Sequence, residues 1–170
     1  TRLGDEVREV VHHVRHQNMS PVAEMLLYSA SRAQHVAQVI RPALAAGQVV
    51  LCDRFADSTL AYQGYGRQLD LDTLHAVTRI ATGGLQPDLT LLLDLDVEAG
   101  LARRTEGGLE MNRLDLEAVA FHERVRAGYL PLLVAAPQRW VRIDAALTPA
   151  EVHTAVLDAV LVRLTIEPNV

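Results

Sequence analysis

Three short runs of nearly unbroken apolar residues, "VVLC" at 49–52, "LTLLLDL" at 89–95 and "RWVRI" at 139–143, lie between long stretches of helical periodicity. Strands that are apolar on both faces must be covered on both faces, so the pattern predicts parallel strands joined by helical crossovers. The expected fold class is α/β, a doubly wound parallel sheet with helices on both faces. Val7, Val10, Val11 and Val14 place a helix over 4–17. After "NMSP", Ser20 is the expected N-cap and Pro21 the first helical residue. That helix is expected to reach Ala46 with Met25, Leu26, Ala30, Ala33, Val36, Ala37 and Ile40 inward, a bend at Arg41-Pro42 and a stop at Gly47. Further helices are expected over 71–82, from Val97 to Gly107, over 114–136, and from the capping box Thr148–Glu151 onward. No linker or repeat divides the chain, so its 170 residues read as a single domain.

Composition excludes several classes. A net charge of −5 gives no general attraction to nucleic acid or to an anionic membrane. No apolar run is long enough to span a bilayer, and no signal peptide is expected. The single cysteine, Cys52, reads as a small buried hydrophobe and fits a reducing, cytoplasmic setting. All sixteen basic residues are arginine, so any task that requires lysine lies outside these residues.

In α/β sheets ligands bind at the carboxyl ends of strands, where Asp53-Arg54 and Asp94 are expected. The stretch from Asp53 to Arg67 then gathers two arginines, Ser58, Thr59, Gln63 and three of the chain's seven aromatic residues. A buried strand ending in Asp suits a metal or a metal-bound water beside phosphates. A neighbouring arginine can fork onto two phosphate oxygens. Ser58, Thr59 and Gln63 suit the hydrogen-bonding edges of a nucleotide, and Tyr62 the face of a sugar. The plainer reading is an Asp53–Arg54 surface contact followed by a capped short helix.

Four segments, in order, resemble the thymidylate kinase family in its bacterial form. Thr1-Arg2-Leu3-Gly4 resembles the end of the family's "EPGGT-x-LG" loop. Residues 23–67 resemble its helix, strand and "DR" loop, 87–103 its next strand and helix, and 112–130 its lid and following helix. The resemblance implies the P-loop nucleoside monophosphate kinase fold, with ATP as donor, dTMP as acceptor, Mg²⁺ as cofactor and a homodimer as the assembly. It implies that Tyr28 stacks on thymine and that Arg32 hydrogen-bonds the base. Ser58 and Thr59 would line the base pocket, Tyr62 would pack under the deoxyribose, and Gln63 and Arg54 would bind the monophosphate. Asp53 would face the magnesium, directly or through water. Arg103, Arg104 and Arg113 would belong to a lid over about 103–115. Arg113, in "NRLD", is the best match to a lid arginine that supplies transition-state charge; Arg103 and Arg104 suit a solvated helix end equally well.

The family's Walker A loop, G-x-x-x-x-G-K-[ST], does not occur in the sequence. Its phosphate cradle and the family's "REP" arginine would precede Thr1, and an N-terminally truncated chain of this kind is expected to be inactive alone. Two other readings stand beside a dTMP kinase: a catalytically silent binding or assembly module of the same fold, and a deoxynucleoside kinase. His12 and His16, spaced i, i+4, are read as a solvated face rather than a metal pair.

Overall fold

The computed structural model describes residues 1–108 and 110–165. The chain forms two compact units, one built from Thr1–Gln86 with the stretch that ends at Tyr129, the other from Pro87–Gly108 with the stretch that begins at Leu130.

The first unit is helical. Helix α1 (Arg2–His12) is capped by Thr1, whose Oγ1 accepts from Gly4 N at 3.0 Å. A single 3-10 turn at Val14–His16 ends the segment, so the helix stops short of the predicted residue 17. Helix α2 (Pro21–His35) begins as expected, with Ser20 accepting from Ala23 N and Pro21 in the first turn. It continues through a π-helical stretch, Val36–Ile40, into α3 (Arg41–Ala45). Pro42 has no N–H to give to the preceding turn, and a π-bulge is one way a helix absorbs that loss. Gly47, at φ 72, closes the run.

The buried face of α2 differs from the apolar pattern. Met25, Val36 and Ile40 are buried as expected, but Leu26 is 52% exposed, and Ala30 and Ala37 also face outward. The inward face is rotated toward Glu24, Tyr28, Ser29 and Arg32. Polar side chains can take an inward face when each finds a hydrogen-bond partner, which hydrophobic periodicity alone does not reveal.

Residues 49–52 form no strand. Val49 is 84% and Leu51 95% exposed, and Cys52 is only half-buried. An apolar parallel strand needs hydrogen-bonded neighbours and cover on both faces, and among the described residues none pairs with this run. Two short elements follow, α4 (Ala56–Thr59) and a π-helical run, Leu60–Gly66. Helix α5 spans Leu71–Thr82 and ends at Gly83, φ 58, as read from the sequence; the structure adds Asp70 as its N-cap. Leu60, Ala61, Leu74, Leu114, Phe121 and Val125 are buried, and Tyr28, Tyr62 and Tyr129 rim the cluster of Ala61, Leu114, Phe121 and Val125.

The second unit holds the sheet. Strands β1 (Thr90–Asp94) and β2 (Trp140–Asp144) pair in parallel, with Leu92 opposite Arg142. This is the α/β, parallel character that the sequence predicts. Helix α6 (Val97–Glu106) is capped by Asp96, and α8 (Pro149–Thr165) opens on the Thr148–Glu151 capping box. Helix α7 (Val119–Ala135), which belongs to the first unit as far as Tyr129, starts later than predicted, because Asn112 accepts from Leu114 N and Asp115 N and holds 112–115 in a turn. No helix among the described residues is long and apolar enough to cross a membrane.

Close packing in the first unit depends on glycine. A Cβ on Gly128 would lie 2.5–2.6 Å from Tyr65 Cβ and Cγ, next to the Tyr65 backbone, so a rotamer change cannot relieve it. Gly128→Ala is expected to cost about 1–3 kcal/mol by overpacking. Gly84→Ala, at φ 76 with open space around it, should cost only about 1–2 kcal/mol of backbone strain. Urea unfolding of the two variants checks the order.

Candidate functional site

Glu24, Tyr28 and Arg32 follow one another at i, i+4 spacing and share one face of α2. Two polar ties join this face to the helical run 56–66. Arg32 donates from Nη1 to Thr59 Oγ1 at 2.7 Å and from Nη2 to the Phe55 carbonyl at 3.0 Å. Gln63 Nε2 donates to Glu24 Oε1 at 2.8 Å. Tyr28 lies between the ties along α2, and Tyr62 lies between Thr59 and Gln63 on the facing run.

Arg54 is exposed and stands at the entrance to that run. Its backbone is in the left-handed region, φ 62, which is unusual for a side chain of this size. The guanidinium lies 4.9 Å from the centroid of the Tyr62 ring, a cation–π distance. Partial burial disfavours the charge, but Tyr62, Tyr129 and Asp53 outweigh it and hold Arg54 above the ordinary guanidinium value. Asp53 is exposed beside it.

The most heavily bonded group is Glu24, which is fully buried. Besides Gln63 it accepts from Arg67 Nε at 3.2 Å and Nη2 at 3.0 Å, and from Arg113 Nη2. Arg67 also pairs with Glu117 at 2.7 Å. Burial pushes the Glu24 carboxyl upward, but the hydrogen bonds from Arg67, Gln63 and Arg113 prevail and keep it below its ordinary value.

Arg113 is therefore placed differently from the expected lid arginine. It is 4% exposed, and besides Glu24 it donates from Nε to the Val11 carbonyl at 2.9 Å. A buried carboxylate draws the nearest guanidinium inward, because an unpaired buried charge is very costly. Gln63, 2% exposed, is likewise committed to Glu24 rather than presented at the surface. Thr59 is buried under Arg32, and Ser58 Oγ lies 3.0 Å from Tyr129 Oη. Arg103 and Arg104 belong to the second unit; Arg103 donates to the Ala145 carbonyl at 2.8 Å. Leu109, within the expected lid, lies outside the described residues.

Four contributors were missed by sequence reasoning: Glu24, Arg67, His12 and Tyr129. The i, i+4, i+8 spacing of Glu24, Tyr28 and Arg32 was a usable signal for the first. His12 Nε2 lies 3.0 Å from Tyr28 Oη and belongs to the site rather than to a solvated face. Burial, Arg8 and Arg54 lower its pKa, so it stays neutral at physiological pH. Burial pushes the phenols of Tyr28 and Tyr129 up to about 12, so both remain protonated donors.

No cluster of three or more potential metal ligands exists among the described residues. Asp53 is an exposed carboxylate, a donor type that magnesium accepts singly when other oxygen ligands complete its shell.

The parallel strands, with helices between and after them in the chain, define an α/β protein. The comparisons are more specific. The thymidylate kinase family model matches residues 1–156. A thymidylate kinase of Synechococcus sp. is 54% identical over 164 residues, covering 96% of this chain and 77% of that protein. One of Trichlorobacter lovleyi is 46% identical over 169 residues, covering 96% and 80%. The chain belongs to the thymidylate kinase family, whose fold is the P-loop nucleoside monophosphate kinase fold.

Since Glu24 titrates below its ordinary 4.5 in the folded chain, its pairing stabilises the fold fully above that pH. The contribution is lost as pH falls through the lowered value. Urea unfolding of wild type and Glu24→Gln from about pH 7 to about pH 3 should show a stability gap that closes on acidification. A gap independent of pH would contradict this placement of the charge.

Proposed function

We propose that the natural full-length protein transfers the γ-phosphoryl group of ATP to dTMP, giving dTDP for cytoplasmic dTTP synthesis. The observation that carries this reading is Arg54, an exposed guanidinium turned by a left-handed backbone onto the face of Tyr62. One edge of a guanidinium stacked in this way stays available for two phosphate oxygens. In this reading Arg54 holds the acceptor phosphate and Tyr62 packs under the deoxyribose. Tyr28 stacks on thymine, Arg32 contacts the base, and Ser58 and Thr59 line its pocket. Gln63 borders the phosphate.

Phosphoryl transfer leaves a protein little covalent work, so rate comes from positioning and from neutralising charge. Asp53 would hold Mg²⁺ through water, and the ion supplies charge neutralisation between the phosphates when bound. Arg103 and Arg104 would close over the donor. Arg113 would supply transition-state charge only after leaving Glu24. The exposed stripe of Val22, Leu26 and Ala30 on α2 and Ala37 in the π-helical stretch after it is consistent with a homodimer through this helical run, which sedimentation tests.

The 170 residues contain neither a lysine nor a Walker A loop. By themselves they are expected to bind dTMP without turning it over, which is the respect in which a silent module is the second reading. ADP release by the full-length protein separates the possibilities. Turnover of dTMP with little of dUMP and none of thymidine is expected. Comparable turnover of thymidine would replace dTMP kinase by deoxynucleoside kinase. Arg54→Ala should raise KM for dTMP at least about tenfold, the loss of a charge-assisted pair, and leave KM for ATP within about threefold. An equal rise in both would remove the phosphate role from Arg54.

A further inference from the structure

We propose that Glu24 is a positioning residue for the acceptor site, acting through Gln63 without touching the acceptor. The inference rests on reading the site as a dTMP pocket. Glu24 is fully buried and Gln63 is 2% exposed, so neither reach nor solvent contact brings the carboxylate to a ligand. What it does touch is directional. The 2.8 Å bond from Gln63 Nε2 fixes which end of that amide faces the carboxylate, since the opposite orientation would set oxygen against oxygen.

That bond also sets where the run Leu60–Gly66 sits against α2. Arg32 holds Thr59 and the Phe55 carbonyl at one end; Glu24 holds Gln63 and then Arg67 at the other. Tyr62 is carried between the two ties, and Arg54 rests on Tyr62. With the Gln63 tie lost, the nearest anchors on that side would be Arg124 on the Gly66 carbonyl and Arg67 on Glu24, both farther along the chain from Tyr62, and the surface that carries Tyr62 and Arg54 would shift. A role confined to stability would need only charge between the arginines. The positioning role needs the reach of a glutamate-length side chain as well.

Reach and charge separate in two variants of the full-length protein. Glu24→Asp keeps the charge but retracts the oxygens by one methylene. It is expected to raise KM for dTMP about tenfold, with kcat and KM for ATP within about threefold. Glu24→Gln keeps the reach and an acceptor oxygen for Gln63, so KM for dTMP should stay within about threefold although stability falls. Gln63→Leu should match or exceed the effect of Glu24→Asp, and the double variant should be no worse than Gln63→Leu alone. Additive effects in the double variant would overturn the proposal, as would a tenfold rise in KM for dTMP in Glu24→Gln. An unchanged KM for dTMP in folded Glu24→Asp would do the same. Should Glu24→Asp not fold, the Glu24→Gln result still decides. Wild-type protein that turns over no dTMP would overturn the acceptor reading and this role together.

Discussion

A carboxylate removed from water is tolerated only where the surrounding donors replace what water supplied. Glu24 meets that condition with Gln63, Arg67 and Arg113, while Glu117 takes the outer side of Arg67. Two acids and two arginines leave the cluster neutral. Its members come from three stretches of the first unit, α2, residues 63–67 and residues 113–117, and Arg113 adds a bond to the Val11 carbonyl at the end of α1. Removing one member of such a cluster costs about 3–5 kcal/mol, because a buried charge loses its partner. The positions of α1, α2, the run 60–66 and the turn at 112–115 therefore depend on one another through this group more than through any single apolar contact.

The same cluster explains where sequence reading succeeded and where it failed. Caps and stops were legible because they are local: Ser20, Thr148 and Gly83 each act within a few residues of their own position. The inward face of α2 was not. Its apolar residues suggest one face, and its buried residues lie on another that includes Glu24 and Ser29. Nothing local shows that Glu24 has guanidinium partners 43 and 89 residues away. Arg113 was singled out for its motif, but its engagement with Glu24 is a tertiary fact.

The run 49–52 failed for a related reason. Apolar continuity predicts a strand only when neighbours exist to pair with it, and in this structure Val49 and Leu51 face outward. The runs over 90–94 and 140–144, which find each other, do form strands. For the candidate site, residues 53–67 were legible as a cluster because their types are unusual together. Their arrangement was not legible, since Thr59 and Gln63 turn inward to Arg32 and Glu24. Arg54 alone combines exposure with the aromatic contact.

The absence of lysine has a structural counterpart. Arg32 lies over Phe55 at 5.9 Å, Arg54 over Tyr62 at 4.9 Å, Arg67 over Phe121 at 4.6 Å and Arg139 over Trp140 at 5.0 Å. A planar guanidinium can lie on a ring and still donate hydrogen bonds from its edge, whereas a lysine ammonium has no face to stack. Arg67 does both, covering Phe121 while donating to Glu24 from Nε and Nη2. Arg32 does both between Phe55 and Thr59. At Arg54 the ring contact helps offset a backbone strain of about 1–2 kcal/mol. The half-buried Cys52 thiol adds a weak bond to the Arg54 carbonyl at 3.4 Å. Relieving that strain with glycine would remove the guanidinium along with it, so the strain and the candidate phosphate contact reside in the same residue.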